Sequence, residues 1–200
     1  MFWSIIVAMF TGIVRTVKKV KNVKKEGSSL FLNIEKPTSF KIKSGNSILT
    51  SGACLTVVKV SADSYITEIM KATLDKTSFG ILLPDWVNLE PSIKAGEPID
   101  GHFVLGHVDT VGKIEKIERD NRTMSVAITH PKENSRLIIP RGSIAVDGVS
   151  LSVADCEPGR FLVNLVDFTI GGTIFRYAKE GNAVNIEYDM LGKYLIKNYG

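Results

Sequence analysis

The strongest constraint on this 200-residue chain is that it carries one pattern twice. Ser47-Ile48-Leu49-Thr50-Ser51-Gly52-Ala53-Cys54-Leu55-Thr56-Val57 lies over Ser143-Ile144-Ala145-Val146-Asp147-Gly148-Val149-Ser150-Leu151-Ser152-Val153 at an offset of 96. Ser, Ile, Gly, Leu and Val coincide, and Cys54/Ser150 and Thr56/Ser152 are conservative pairs. The same offset puts Thr73 on Thr169 and Thr77 on Thr173. One residue more puts Val87-Asn88-Leu89-Glu90 on Val184-Asn185-Ile186-Glu187, and Gly12, Val14, Thr16, Val17 and Lys19 fall on Gly106, Val108, Thr110, Val111 and Lys113. Four blocks in one order imply two homologous halves, residues 9–97 and 98–189. Solenoid repeats span about 20–50 residues, so this period is a domain duplication, with two domains of about 100 residues each.

Each half reads as β. The runs 28–34, 47–60, 64–70, 123–129, 143–154 and 161–166 are rich in Val, Ile, Leu and Thr. Many alternate apolar with polar residues, and turn-forming residues bound them. Gly52 and Gly148 fall inside two runs, where glycine marks a hairpin turn or a bulge. Turns every 8–12 residues or so suggest one small closed barrel per half. Residues 73–78 and 169–177 read as short helical turns. Residues 190–200 read as a C-terminal helix, capped by Asp189.

Net charge is +4, much of it from Lys18, Lys19, Lys21, Lys24 and Lys25. No aromatic interrupts residues 14–30, as a nucleic-acid patch would require, so the cluster reads as a solvated strand end and loop. Two cysteines, Cys54 and Cys156, offer neither a disulfide framework nor a zinc spacing, and reduced thiols in a cytoplasmic protein are expected. The apolar start, residues 1–14, is shorter than the roughly 18 residues of a membrane span and lacks a basic n-region. Residues 1–8 are therefore read as an extension ahead of a domain that begins at Met9.

Duplicated barrels can offer two equivalent pockets, which suits a reaction between two identical molecules. Five blocks make this specific: Met9-Phe10-Thr11-Gly12-Ile13-Val14, Ala53-Cys54-Leu55-Thr56-Val57, Asp85-Trp86-Val87-Asn88-Leu89-Glu90, Gly101-His102-Phe103-Val104-Leu105-Gly106-His107-Val108-Asp109, and residues 142–151. In this order, over residues 9–194, the chain closely resembles the alpha-chain type of riboflavin synthase, of the lumazine-binding domain family. The resemblance implies two tandem six-stranded Greek-key β-barrels and a C-terminal helix that helps form a homotrimer. It implies conversion of two molecules of 6,7-dimethyl-8-ribityllumazine into riboflavin and a ribitylaminopyrimidine, with no metal or organic cofactor. The site would lie between the first barrel of one subunit and the second barrel of its neighbour, and association with lumazine synthase is part of the same picture. Such chemistry needs little from the protein. The lumazine ring accepts the charge left when its 7-methyl group loses a proton, so alignment and polar partners suffice.

The resemblance also nominates residues. Around one ring stand Cys54, Leu55, Thr56, Glu68, Ile69, Met70, Lys71, Ala72 and Thr73, with Gly106, His107 and Val108. Around the other stand Ser150, Leu151, Ser152, Val166, Asp167, Phe168, Thr169, Ile170 and Gly171, with Arg141. Gly12, Ile13 and Val14 match backbone contacts, with Thr11 beside them, and Phe10 would stack on a ring. Ser47, Cys54, His107, Ser150 and Asp189 are the candidate catalytic residues. Cys54 reads equally as a small core residue; Ser150 and Ser152 favour ligand contact over the alternative of interior hydroxyls bonded to backbone, and the alternative for Asp189 is a helix cap alone. His102 reads as structural. Arg141 replaces a usual Lys, Ala72 a common Glu, Leu105 a Ser or Gln, and Ser51 a common Asn; the last three would lie around the first-barrel site. Both half-sites retain their polar sets, which favours an enzyme over the non-catalytic lumazine proteins of the same fold. A nucleic-acid-binding barrel would need exposed aromatic platforms on its strands, and the aromatics here are scattered.

Overall fold

The computed structural model describes residues 8–199. Six strands, β1 (Thr16–Glu26), β2 (Ser29–Glu35), β3 (Ser47–Thr50), β4 (Ala53–Val60), β5 (Ser64–Ile69) and β6 (Trp86–Pro91), close in the order β1-β2-β5-β4-β3-β6. Six more, β7 (Thr110–Arg119), β8 (Thr123–Thr129), β9 (Ser143–Val146), β10 (Val149–Glu157), β11 (Arg160–Val166) and β12 (Ala183–Tyr188), close in the equivalent order. The duplication reaches the irregularities. A register shift at Val20/Asn22 recurs at Ile114/Lys116, and one at Val57/Lys59 recurs at Val153/Asp155. Such bulges sharpen strand twist, which lets six strands close on themselves.

Alternation decides which side chains fill each barrel. On β4, Ala53, Leu55 and Val57 point inward, while Cys54 and Thr56 face out. On β10, Val149, Leu151 and Val153 are buried, Ser150 is half-buried and Ser152 is exposed. Each barrel therefore has its own apolar core, each side chain contributing about 1.5–3 kcal/mol of burial. Both polar pairs, Cys54/Thr56 and Ser150/Ser152, lie on the outside, so the alternative of Ser150 and Ser152 as interior hydroxyls does not hold.

Runs 47–60 and 143–154 each break into a hairpin, at Ser51-Gly52 and Asp147-Gly148. Short helices α1 (Lys71–Leu74) and α2 (Asp167–Gly172) follow β5 and β11, each trailed by a 3-10 turn. Helix α3 (Met190–Tyr199) closes the chain, and Asp189 caps it by accepting from Leu191 N at 3.0 Å. The five lysines do not form a strand end and loop; all lie on the 11-residue β1. Lys18, Lys21 and Lys24 pair there with Glu35, Asp63 and Glu26. Of the extension, residues 1–7 lie outside the described residues, and Ala8 packs with Phe10, Leu49, Val104 and Ala145 between the barrels.

The barrels are joined by two exchanges. Asn88 Nδ2 donates to Asp147 O (2.9 Å), and Asn185 Nδ2 donates to Ser51 O (2.7 Å). Ser51 is thus buried at the seam, not beside the first-barrel site, because its hydroxyl and carbonyl are both used there. Along a second line, Phe10 and Val104 trade two backbone hydrogen bonds, at 2.8 and 3.1 Å. The segment after each then lies against the other barrel. Val14 packs on the core of the second barrel, and Val108 inserts into the core of the first.

Candidate functional site

These crossing segments lie against the outward-facing residues of β4 and β10 and frame two equivalent candidate grooves, one on each barrel. On the first barrel, β4 presents Cys54 and Thr56, and the β5–α1 junction presents Met70, Lys71, Ala72 and Thr73. Gly106 arrives from the segment before β7, its carbonyl accepting from Cys54 N at 2.9 Å, and carries His107 with it. On the second barrel, β10 presents Ser150 and Ser152, and the β11–α2 junction presents Val166, Asp167, Phe168, Thr169, Ile170 and Gly171. Gly12 arrives from the segment before β1, its carbonyl accepting from Ser150 N at 2.8 Å, with Ile13 following.

Both approaches need glycine. Gly12 has φ +75° and Gly106 φ +74°, in the left-handed region. A Cβ on Gly12 would sit 2.7 Å from Ser150 Cβ, and one on Gly106 would sit 2.5 Å from Cys54 Cβ.

Two buried carboxylates hold the segments in place. Glu90 Oε1 accepts from Thr11 N (2.7 Å) and Thr11 Oγ1 (2.9 Å), and Oε2 accepts from Gly12 N (2.9 Å). Glu187 Oε1 accepts from Leu105 N (2.8 Å), and Oε2 from Gly106 N (2.8 Å) and His107 N (3.1 Å). Burial pushes both carboxyls above the usual range, and the donated N–H groups pull them partly back. Neither glutamate was singled out as a site residue. The Val-Asn-Leu-Glu and Val-Asn-Ile-Glu repeat marked both without giving them a role.

The grooves differ at their reactive groups. In the second barrel, Ser150 Oγ is 2.7 Å from His102 Nδ1. The His102 ring is buried, which holds its pKa below the ordinary histidine value, and the nearby Asp189 carboxylate pulls the other way. His102, read as structural, is thus in direct contact with a candidate catalytic serine. Asp189 both caps α3 and lends its charge to that pair. In the first barrel, the Cys54 thiol is pushed up chiefly by burial; the Ser47 hydroxyl opposes the shift and the Glu187 charge adds to it. Cys54 is half-buried on the outer face, against the cluster between the barrels, rather than part of a barrel core.

Several nominated side chains have no face to offer a ring. Phe10 is 0% exposed and anchors its segment between the barrels, so it does not stack on a ligand. Leu55, Ile69 and Leu151 are buried in barrel interiors, where strand alternation turns them inward. Val108 fills the first barrel's core. Glu68 is half-buried on β5. Phe168, by contrast, is 88% exposed at the rim of the second groove, where the first has Ala72. Arg141 is exposed with φ +66°, where its counterpart Gly45 has φ +86°; a non-glycine residue there costs about 1–2 kcal/mol. Leu105 is tied through its backbone N–H alone. A separate cleft of about 220 Å³ runs along the seam, lined by Ser51, Asp147, Trp86 and Tyr177, and contains none of the nominated residues.

A sequence profile for the lumazine-binding domain matches residues 11–92 and again residues 105–189. The chain belongs to the lumazine-binding domain family. Its relatives in this family include the riboflavin synthase of Bacillus amyloliquefaciens, 38% identical over 94% of this chain and 89% of that protein. That of Escherichia coli (strain K12) is 33% identical over 90% and 87%. Among solved structures, LumP complexed with riboflavin superposes with a TM-score of 0.84, and LumP complexed with 6,7-dimethyl-8-(1'-D-ribityl) lumazine with 0.81. Both are 25% identical and cover 90% of this chain and 98% of LumP. The family signature falls on each half separately, as the two grooves do.

Proposed function

We propose that this chain is a riboflavin synthase. It dismutates two 6,7-dimethyl-8-ribityllumazine molecules to riboflavin and 5-amino-6-(D-ribitylamino)uracil. The observation that carries this reading is that both grooves keep a polar set, Cys54/Thr56/Thr73 on one barrel and Ser150/Ser152/Thr169 on the other, each completed by a crossing segment. A protein that only stores one ligand needs one such groove. The riboflavin synthases at 33–38% identity point the same way.

The reaction moves a four-carbon unit from one lumazine to the other. All atoms of two substrates reappear in the two products, so neither oxidant nor reductant is consumed. The 7-methyl proton of one ring is removed, and the negative charge spreads into that ring's carbonyl and imine groups. Ser150, held by His102, and Cys54, beside Ser47, supply the proton carriers, and the backbone N–H and hydroxyl groups around them meet the developing charge. Holding the two rings face to face replaces a bimolecular encounter.

Both grooves open outward, and a homotrimer in which the first barrel of one subunit faces the second barrel of the next would close them over paired substrates. Residues 9–97 carry 13 Lys/Arg and eight Asp/Glu, against ten and 13 for residues 98–189, so such contacts join opposite charges. Helix α3 exposes Leu191, Tyr194 and Leu195, an apolar stripe suited to a subunit contact. Free Cys54 and Cys156 suit a reducing cytoplasm. Association with lumazine synthase, which would supply the substrate, belongs to the same reading.

The metal-free chain, given lumazine, is expected to release riboflavin with two substrates consumed per product. Lumazine absorbance that holds for hours while the ligand stays bound would overturn this in favour of a binding protein like LumP.

A further inference from the structure

The two glutamates stand on the wrong barrels for the grooves they serve. Glu90 is on β6 of the first barrel, yet the Thr11-Gly12 segment it grips forms a wall of the second barrel's groove at Ser150. Glu187 is on β12 of the second barrel, yet the 105–107 segment it grips forms a wall of the first barrel's groove at Cys54. We propose that Glu90 and Glu187 are crossed positioning residues, each setting the ligand affinity of the opposite barrel by fixing the segment exchanged between them. This builds on the lumazine-binding reading of the two grooves, though the crossed grip itself does not depend on which molecule they hold.

Each carboxylate accepts three hydrogen bonds from one short segment, two or three of them from backbone N–H groups. The barrel that carries the groove holds the segment through its carbonyl, by Ser150 N or Cys54 N, while the N–H groups of Thr11, Gly12, Leu105, Gly106 and His107 are held by the glutamates. A carboxylate has acceptors on both oxygens. A glutamine in its place turns an NH2 group toward an N–H donor, so one side of the grip becomes repulsive. The segment then loses its fixed height over the groove, while the barrel that carries the glutamate keeps its core. The arrangement also ties the grooves together: each groove's geometry depends on a residue of the other barrel's last strand.

The test is amide hydrogen exchange and riboflavin titration on the full chain, read by NMR at Thr73 for the first groove and Thr169 for the second. Glu90→Gln is expected to speed exchange at Ser150 N and weaken riboflavin at Thr169 about tenfold, leaving Cys54 N and Thr73 unchanged. Glu187→Gln is expected to do the reverse. Should Glu90→Gln fail to fold, Thr11→Val removes the hydroxyl bond to Glu90, together with the 3.3 Å bond that the same hydroxyl accepts from Ile13 N in the same segment, and is expected to give the same pattern at about two- to threefold. Loss in the glutamate's own barrel, or equal loss in both, overturns the proposal. If exchange shifts as described while riboflavin shows no saturable shift at either groove of the unaltered chain, the crossed grip stands as a structural fact and the lumazine-binding reading fails. If riboflavin binds normally to both variants, the crossed control of affinity fails and that reading survives.

Discussion

Inside the first barrel, Thr50, Tyr65 and Thr67 occupy the positions that Val146, Phe161 and Val163 fill in the second, each 96 residues on. Tyr65 Oη and Thr67 Oγ1 have no hydrogen-bond partner among the described residues. Outside, the second barrel places His102 on Ser150, where the first has an uncharged Ser47 beside Cys54. The two barrels thus differ in the unpaired hydroxyls of the first core and in the partner of each groove's reactive group, while both grooves keep their polar sets. A shared backbone, alike down to its bulges, tolerates this divergence because packing inside and chemistry outside use opposite faces of the same strands.

The comparison can be broken most forcefully at the crossing glycines. Gly12→Ala and Gly106→Ala are each expected to lose several kcal/mol by thermal denaturation, from a left-handed φ and a methyl group driven into Ser150 or Cys54. Gly27→Ala, also at positive φ but in open space, is expected to lose only about 1 kcal/mol. If the two crossing variants behave like Gly27→Ala, the segments do not sit where they are placed.

The next largest effect concerns the grooves. Ser150→Ala should lower the turnover rate about 100-fold with little change in melting temperature, and Asp189→Asn should act in the same direction. Cys54→Ala, with no histidine behind it, should cost less than Ser150→Ala. Equal falls in rate and stability would assign Ser150 and Asp189 to structure.

At the seam, Asp147 stands where the first half has Ser51. Burial pushes its carboxyl up to about 7, against the pull of the Asn185 N–H. A folded pKa raised above the unfolded one gives stability that is complete below about pH 4 and lost as pH rises through about 7. Asp147→Asn keeps the acceptor and suits the left-handed φ of +48°. It should therefore be near neutral at pH 4 and raise stability at pH 8, by up to about 4 kcal/mol, in melting curves taken across that range. A gain at pH 4 as large as that at pH 8 would show that the carboxylate's charge is not the cause.

The smallest effect is in the core. Tyr65→Phe and Thr67→Val copy the second barrel's residues into the first and should each stabilise by about 0.5–1 kcal/mol in urea denaturation. Destabilisation would mean that the first barrel uses those hydroxyls.

Much of this molecule could be read along the chain. Two halves, β-rich runs in each, a turn or bulge at Gly52 and Gly148, and a helix capped by Asp189 all follow from signals that are local or repeat at a fixed offset, whereas six strands per barrel followed from the family resemblance. Cys54 and Ser150, with Thr73 and Thr169, came to notice because the duplication sets them in register. Sequence did not show which barrel each segment serves. Phe10 looked like a stacking face and is sealed between the barrels; His102 looked structural and touches Ser150; Glu90 and Glu187 repeated without a reason. Periodicity encodes which side of a strand a residue faces, since the pleat is a property of the strand alone. A segment that crosses to the other barrel is held by contacts 78 to 82 residues away along the chain, and only the folded chain brings those partners within reach of one another.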